Sequence, residues 1–205
     1  MIRIDRLKIY ESHGYKFKNF VCLTEEEKLM ILEWRNHEKV RNMMVNKDII
    51  PLENHLAFIE GLKKREDCYY WLVTNSKGVD VGVLDVIHID NDKEEGELGY
   101  YINPNEFGGG FDFMIECNYF VYQQLKLKFN LVTVDVRNKD ILLFCLFMGT
   151  TFEGIKEIDG VKYLYNNHTI GDYLVSHYNE LSFVNYAKFI KHHKDDNYLY
   201  NIKID

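Results

Sequence analysis

The 205-residue chain predicts an α/β fold, a mixed and mostly antiparallel central sheet flanked by helices on both faces. Three observations carry that expectation. Residues 24–62 show helical spacing, and residues 69–102 show strand-like runs joined by short turns. Helix-like and strand-like stretches then alternate to about residue 178. No Ser/Gly/Pro-rich linker, internal repeat or low-complexity segment divides the chain, and its only prolines are Pro51 and Pro104. A single domain over residues 1–205 is expected, with a C-terminal extension from about residue 180.

The elements follow in order. Residues 1–18 read as polar and irregular, and Phe20-Val21-Cys22-Leu23 reads as a first strand. Thr24 before Glu25-Glu26-Glu27 is a helix start, because the hydroxyl caps the first turn and the acids meet the positive end of the dipole. Leu29, Ile31, Leu32 and Trp34, then Val40, Met43 and Met44, recur at roughly helical spacing. A second helix follows Pro51, with Leu52, His55, Leu56, Ile59 and Leu62 on one face. Tyr69–Val73, Val79–Ile87 and Gly96–Ile102, joined at Ser76-Lys77-Gly78 and Asp90-Asn91-Asp92-Lys93, read as an antiparallel meander.

Pro104 ends that meander, and a glycine run opens a helix with Phe113, Met114, Cys117, Phe120, Val121 and Leu125 on its buried face. A strand at Leu131–Val136 and a helix at about 139–148 come next. Two long strands are expected at about 152–165 and 170–178, with a turn near Asn166-Asn167, and a short helix around Phe183–His192.

Composition narrows the function classes. Apolar residues make up 46% and charged residues 28%, a globular balance. No run of about 18 apolar residues exists, and Met1-Ile2-Arg3-Ile4-Asp5-Arg6 is not a secretory leader, so a cytoplasmic protein without membrane association is expected. The net charge of -7 argues against nucleic-acid binding, which needs a basic face. Lys63-Lys64-Arg65, followed by Glu66-Asp67, reads as a solvated helix end. Cys22, Cys68, Cys117 and Cys145 lie tens of residues apart without metal-ligand spacing, so free thiols and no metal are expected.

The segment Asn105-Glu106-Phe107-Gly108-Gly109-Gly110-Phe111-Asp112 lies between a strand and a helix. Glycines there let the backbone turn tightly and approach an anion, while the N–H groups of the first helical turn point at it. A pyrophosphate is the natural guest. The alternative is a Gly-rich turn with no ligand. A Walker loop is excluded because Phe111-Asp112 stands where Lys-Ser/Thr is needed. A dinucleotide fingerprint is excluded because the preceding strands are antiparallel and the third glycine is misplaced.

Gly108-x-Gly110 at that junction resembles the acetyl-CoA motif of the GNAT acetyltransferases, with Asn105 in place of the usual Gln or Arg. Val136-Arg137-Asn138, a helix and then Gly149 resemble the next block of that family. The likeness covers roughly residues 20–178 in order. It implies a GNAT fold and acetyl-CoA as co-substrate, held by Tyr100, Tyr101, Ile102, Asn105, Phe107, Gly108, Gly109, Gly110, Phe111 and Asn138. It leaves a homodimer open.

A narrower likeness lies in Leu32-Glu33-Trp34-Arg35-Asn36-His37-Glu38, Met44 and His55-Leu56-x-Phe58-Ile59-x-x-Leu62, with Tyr70–Val73 and Glu97-Leu98-Gly99-x-Tyr101. These residues are similar to the branch that acetylates UDP-linked 4-amino-4,6-dideoxy sugars in pseudaminic acid biosynthesis. The resemblance implies a nucleotide-sugar acceptor in a pocket lined by Arg35, Met44, His55 and Phe58, feeding surface-glycan decoration. Read without it, Arg35 pairs with an acid, Met44 and Phe58 pack in a core, and His55 satisfies a buried polar group.

In such a transfer the amine loses a proton before attacking the thioester, and positioning supplies much of the acceleration. Glu97 is the first candidate base and Asp85 the second, and either could instead be a solvent-facing carboxylate. Many relatives carry a Tyr acid seven residues after the Asn, a count that lands here on Cys145, which packing alone would also explain. The aromatic that often follows the helix glycine is Thr150. Two readings compete with the sugar acceptor. One is another amine (a protein N-terminus, a polyamine or an antibiotic), and the other is a degenerate acyl-CoA-binding regulatory module.

Overall fold

Thr24 closes a full capping box: its hydroxyl accepts the Glu27 N–H at 3.2 Å, and the Glu27 carboxylate accepts the Thr24 N–H at 2.7 Å. That start fixes helix α1 at Glu25–Asn36. The computed structural model describes residues 4–93, 95–106, 108–127, 129–166 and 171–193. The chain divides into two compact units, one comprising Arg3–Ile89 with Leu98–Cys117, the other Asp90–Glu97 with Asn118–Asp205 and the first two residues.

In the first unit, strands β1 (Tyr10–Ser12) and β2 (Tyr15–Asn19) form a hairpin. Its turn is His13-Gly14, with φ of 46° and 84°, the left-handed pair that matches strand twist. Thus residues expected to be irregular pair as strands. The strand expected at Phe20–Leu23 is instead a 3₁₀ turn over Phe20–Cys22. Asn19 explains it: its side chain accepts the Val21 N–H at 3.2 Å and winds the chain, so that Phe20 and Leu23 turn inward together.

Helix α1 stops at His37, whose ring accepts the Lys39 N–H at 3.2 Å and starts the short α2, Glu38–Arg41. The helical pattern therefore breaks before Met43, which is exposed. Helix α3, Leu52–Leu62, follows Pro51 as expected. Strands β3 (Tyr69–Thr74) and β4 (Asp80–Asp90) pair antiparallel, with a register shift at Val73/Thr74, and β5 (Glu95–Ile102) lies hydrogen-bonded beside β4. Phe20, Ile31, Trp34, Ile59, Leu62, Leu72 and Val83 form the core between α1, α3 and one face of this sheet. Helix α4, Gly110–Tyr119, continues into a π turn at Phe120–Gln124.

In the second unit, the start of β5 pairs in parallel with β6 (Phe129–Asp135), from Glu95 opposite Phe129 to Glu97 opposite Leu131. Helix α5 is Lys139–Phe147. The long strand expected at 152–165 is a hairpin, β7 (Gly154–Ile158) and β8 (Val161–Asn166), because Asp159-Gly160 take φ of 50° and 75°. The strand expected at 170–178 is a helix, α6 (Gly171–His177), in which Leu174 is fully buried while Val175 is 39% exposed. The expected turn residue Asn167 lies outside the described residues. Helix α7, Phe183–His193, lies against α5: Tyr186 Oη donates to the Asp140 carbonyl at 3.3 Å, and Phe147 meets the rings of Tyr186 and Phe189.

Candidate active site

The glycine run lies where the sequence puts it, between β5 and α4. Gly108 and Gly109 have φ of 81° and 72°, backbone that other residues reach only with strain. A Cβ on either would meet no atom within 4 Å, so packing does not demand glycine there. Gly110 is different, since a Cβ on it would stand 2.7 Å from Ile102 Cδ1.

Asn103 shapes the approach: its side-chain oxygen accepts the Asn105 N–H and its Nδ2 donates to the Asp80 carbonyl, both at 3.0 Å. The Phe113 N–H bonds the Gly109 carbonyl at 3.0 Å as α4 begins. Earlier N–H groups of that turn have no acceptor within the helix and lie at the positive end of its dipole, beside the space the glycines leave. A diphosphate fits this arrangement. Phe111 is buried and Asn105 is exposed. Phe107, expected in the same cradle, lies outside the described residues.

A second cluster lies on the helix-covered face of β3 and β4. Leu72 opposes Val83 and Tyr70 opposes Asp85, so the alternation of the strands places all four on one face. Val83 is fully buried, and Ile87 packs against the same core. Asp85 is therefore a carboxylate in an apolar row. Room for it comes from Gly99 on β5, where a Cβ would stand 2.6 Å from one carboxylate oxygen and 2.9 Å from the other.

Arg35 reaches the same region from the last turn of α1. Its Nη2 donates to the Asn46 carbonyl at 2.9 Å, while its Nη1 is buried with no hydrogen-bond partner. Burial pulls its pKa below the usual value, and the neighbouring Tyr101 opposes this. Burial, then the Asp85 charge, pushes the hydroxyls of Tyr70 and Tyr101 up, so both remain protonated donors. Arg35, Asp85 and Tyr101, all singled out in the sequence, thus come together. Tyr70 was quoted there only as part of a likeness, and its place opposite Asp85 in the paired strands is what identifies it.

The other acceptor candidates divide. The Phe58 ring stands edge-on to Tyr70 at 5.1 Å and is 38% exposed. Met44 is half-buried beyond α2. His55 is buried, and its Nε2 donates to the Lys28 carbonyl at 3.0 Å, tying α3 to α1. Burial lowers its pKa, which keeps the ring neutral.

Glu97, Asn138 and Cys145 belong to the other unit. Glu97 is half-buried on β5. Asn138 caps α5, its side-chain oxygen accepting the Ile141 N–H at 3.4 Å. Cys145 packs among Val134, Leu142 and Leu164, and burial pushes its thiol up to about 12. Thr150 is buried beside it, its N–H bonded to the Cys145 carbonyl at 2.9 Å and its hydroxyl without a partner.

A family model described as an acetyltransferase (GNAT) domain matches residues 20–140, from the 3₁₀ turn into α5. The chain belongs to the GNAT acetyltransferase family. Curated relatives named acetyltransferase PseH, from two strains of Campylobacter jejuni subsp. jejuni, are 33% identical over 112 residues, which is 55% of this chain and 69% of theirs. The solved structure of Campylobacter jejuni PseH in complex with acetyl coenzyme A superposes with a TM-score of 0.58 at 25% identity, covering 76% of this chain and 99% of that one. A Vibrio cholerae spermidine N-acetyltransferase in complex with CoA and spermine superposes with a TM-score of 0.62 at 18% identity, covering 76% and 96%, a likeness of fold alone.

The GNAT fold and the likeness to PseH expected from the sequence are therefore found. The matched span contains both the glycine cradle and the Arg35–Asp85–Tyr101 cluster of this GNAT chain. Among the described residues no helix is long and apolar enough to cross a membrane, and no group of three or more His, Cys, Asp or Glu side chains could hold a metal ion.

Proposed function

We propose that this GNAT chain, as one acyltransferase domain in the cytoplasm, transfers acetyl from acetyl-CoA to the amine of a nucleotide-linked amino sugar, of the UDP-4-amino-4,6-dideoxy-hexose class. One observation carries the acceptor: in the helix–sheet layer a guanidinium with a spare buried donor, Arg35, and a carboxylate, Asp85, both act on the buried Tyr101. That pairing suits a molecule bearing both an anionic group and an amine. It suits a polyamine poorly, because a buried positive charge repels a polycation. The 33% identity to PseH supports the same reading.

Gly108–Gly110 and the start of α4 would grip the diphosphate arm of the donor, with Tyr100, Tyr101, Ile102, Asn105 and Phe111 near it. Arg35, Met44 and Phe58 would meet the acceptor, and His55 would hold α3 in place behind them. The ammonium form of the acceptor gives one proton to a carboxylate, Glu97 or Asp85, and the freed amine attacks the thioester carbonyl. Nitrogen bonds carbon, the carbon–sulfur bond breaks, and the sulfur takes the second proton shed by nitrogen. Cys145 is then packing rather than the acid, because a thiol held near 12 is a poor proton donor at neutral pH.

The test is a CoA-release assay comparing a UDP-linked 4-amino-4,6-dideoxy hexose with spermidine, an amino-terminal peptide and an aminoglycoside. At least about a hundredfold preference in kcat/KM for the sugar is expected. Equal or faster turnover of any other amine overturns the acceptor assignment. Thermal stabilisation by acetyl-CoA with no turnover of any of the four overturns enzymatic function in favour of a binding module.

A further inference from the structure

Within the acceptor reading above, on which this inference rests, the two candidate bases differ in their surroundings. A strand whose face lies under helices is expected to carry apolar residues at alternate positions, and β4 does so at Val83 and Ile87. Between them stands Asp85. A carboxylate in such a row loses hydration and is retained only where hydrogen bonds or a ligand compensate for it. On β5 the residue over which it lies is Gly99, and a methyl group there would collide with both carboxylate oxygens, at 2.6 and 2.9 Å. The backbone of Gly99 gives no reason for glycine, since its φ is not in the left-handed region. Its missing side chain is therefore the space that the Asp85 carboxylate uses.

The groups around Asp85 come from three elements. Tyr70 opposes it on β3, Tyr101 lies on β5, and Arg35 approaches from α1 beside Tyr101. The set holds one guanidinium, Arg35, and one carboxyl group, Asp85. Arg35 still has a buried donor to give, and the two tyrosines can donate to substrate oxygens.

We propose that Asp85, given its place by Gly99, is the catalytic carboxylate that binds the acceptor's ammonium group and takes its first proton, ahead of Glu97. The ammonium passes one proton to Asp85, the freed nitrogen pair attacks the thioester carbon, and Asp85 releases its proton to water after acetylamide and CoA thiol have formed. Arg35 meets the anionic part of the same acceptor.

The experiment uses the full-length protein and two probes, a UDP-linked 4-amino-4,6-dideoxy hexose and its 4-hydroxy counterpart. Wild type, Asp85→Asn, Gly99→Ala and Glu97→Gln are compared by calorimetric binding at pH 7 and by the pH profile of kcat/KM. Wild type is expected to bind the amine at least about tenfold more tightly than the hydroxy sugar. Asp85→Asn is expected to lose that preference, to keep its thermal stabilisation by acetyl-CoA, and to lose about a hundredfold or more in kcat/KM at pH 7. Its activity should then climb about tenfold per pH unit up to the pKa of the free amine, a rise absent from wild type. Gly99→Ala should lose the amine preference in the same way, while Glu97→Gln keeps it.

An Asp85→Asn protein that retains the amine preference and the wild-type pH profile overturns the proposal. So does a Glu97→Gln protein that alone acquires the rising profile. If Asp85→Asn fails to fold, Gly99→Ala decides by the same two readouts. Wild type that binds neither sugar overturns the acceptor reading itself, a result distinct from the others, and this inference goes with it.

Discussion

His13 Nδ1 lies 3.0 Å from Oε2 of Glu116, a carboxylate 6% exposed on the inner face of α4, and Ser12 Oγ donates to the same oxygen at 3.3 Å. The tip of the first hairpin is thereby tied to the helix that opens at the glycine cradle. Removing His13 leaves a buried carboxylate short of a partner. His13 itself is 43% exposed, so the cost is discounted for solvent. His13→Ala is expected to lose about 1–2 kcal/mol in urea unfolding, and His13→Asn, which tolerates positive φ, to lose less.

The cradle glycines separate folding from binding. Gly108→Ala and Gly109→Ala meet no neighbour, so their structural cost is that of a left-handed φ, about 1 kcal/mol each. Acetyl-CoA affinity should fall by at least about tenfold, because the backbone can no longer turn the N–H groups onto the diphosphate without strain. Isothermal titration beside a thermal melt checks both. Unchanged affinity in both variants removes the phosphate assignment from this loop.

Alkaline stability reports on the buried thiol. Cys145 titrates near 9 when unfolded, and burial holds it at about 12 when folded. Between those values the unfolded chain has released the proton and the folded chain keeps it, so stability is complete below about pH 9 and declines as pH rises towards 12. At 1.36 kcal/mol per unit the loss from this group amounts to at most about 4 kcal/mol. Cys145→Ala, costing about 1–2 kcal/mol at pH 7 through lost packing, is expected to show a flatter decline over that window. It is also expected to keep kcat within about threefold at pH 7, which a proton-donating thiol would not allow.

The elements anchored by local chemistry were legible from residues alone. Thr24 with Glu27 marks a helix start without reference to anything distant, and so does the glycine run before Phe111. Two of the misreadings share one cause. Asp159-Gly160 and His13-Gly14 are left-handed turn pairs that split strands, yet each lies within a stretch whose side chains look continuous or merely polar. At Tyr173-Leu174-Val175 three apolar residues suit a strand or a helix equally, and burial of Leu174 beside an exposed Val175 is a tertiary outcome. In the candidate site, Arg35, Asp85 and Tyr101 could be named one at a time. Their meeting depends on strand register, which puts Tyr70 opposite Asp85, and on Gly99, whose lack of a side chain has no meaning until its neighbour is known.

Helix α7 bears on how a minimal catalytic fragment should be cut. A boundary drawn at the end of the family match, residue 140, would fall at the second residue of α5 and take β8 away from its antiparallel partner β6. Even a cut just after β8 would strip Tyr186 and Phe189 from Phe144 and Phe147 and leave an aromatic stripe in water. Shortened versions of this enzyme should therefore run through His193, or replace that stripe with polar residues.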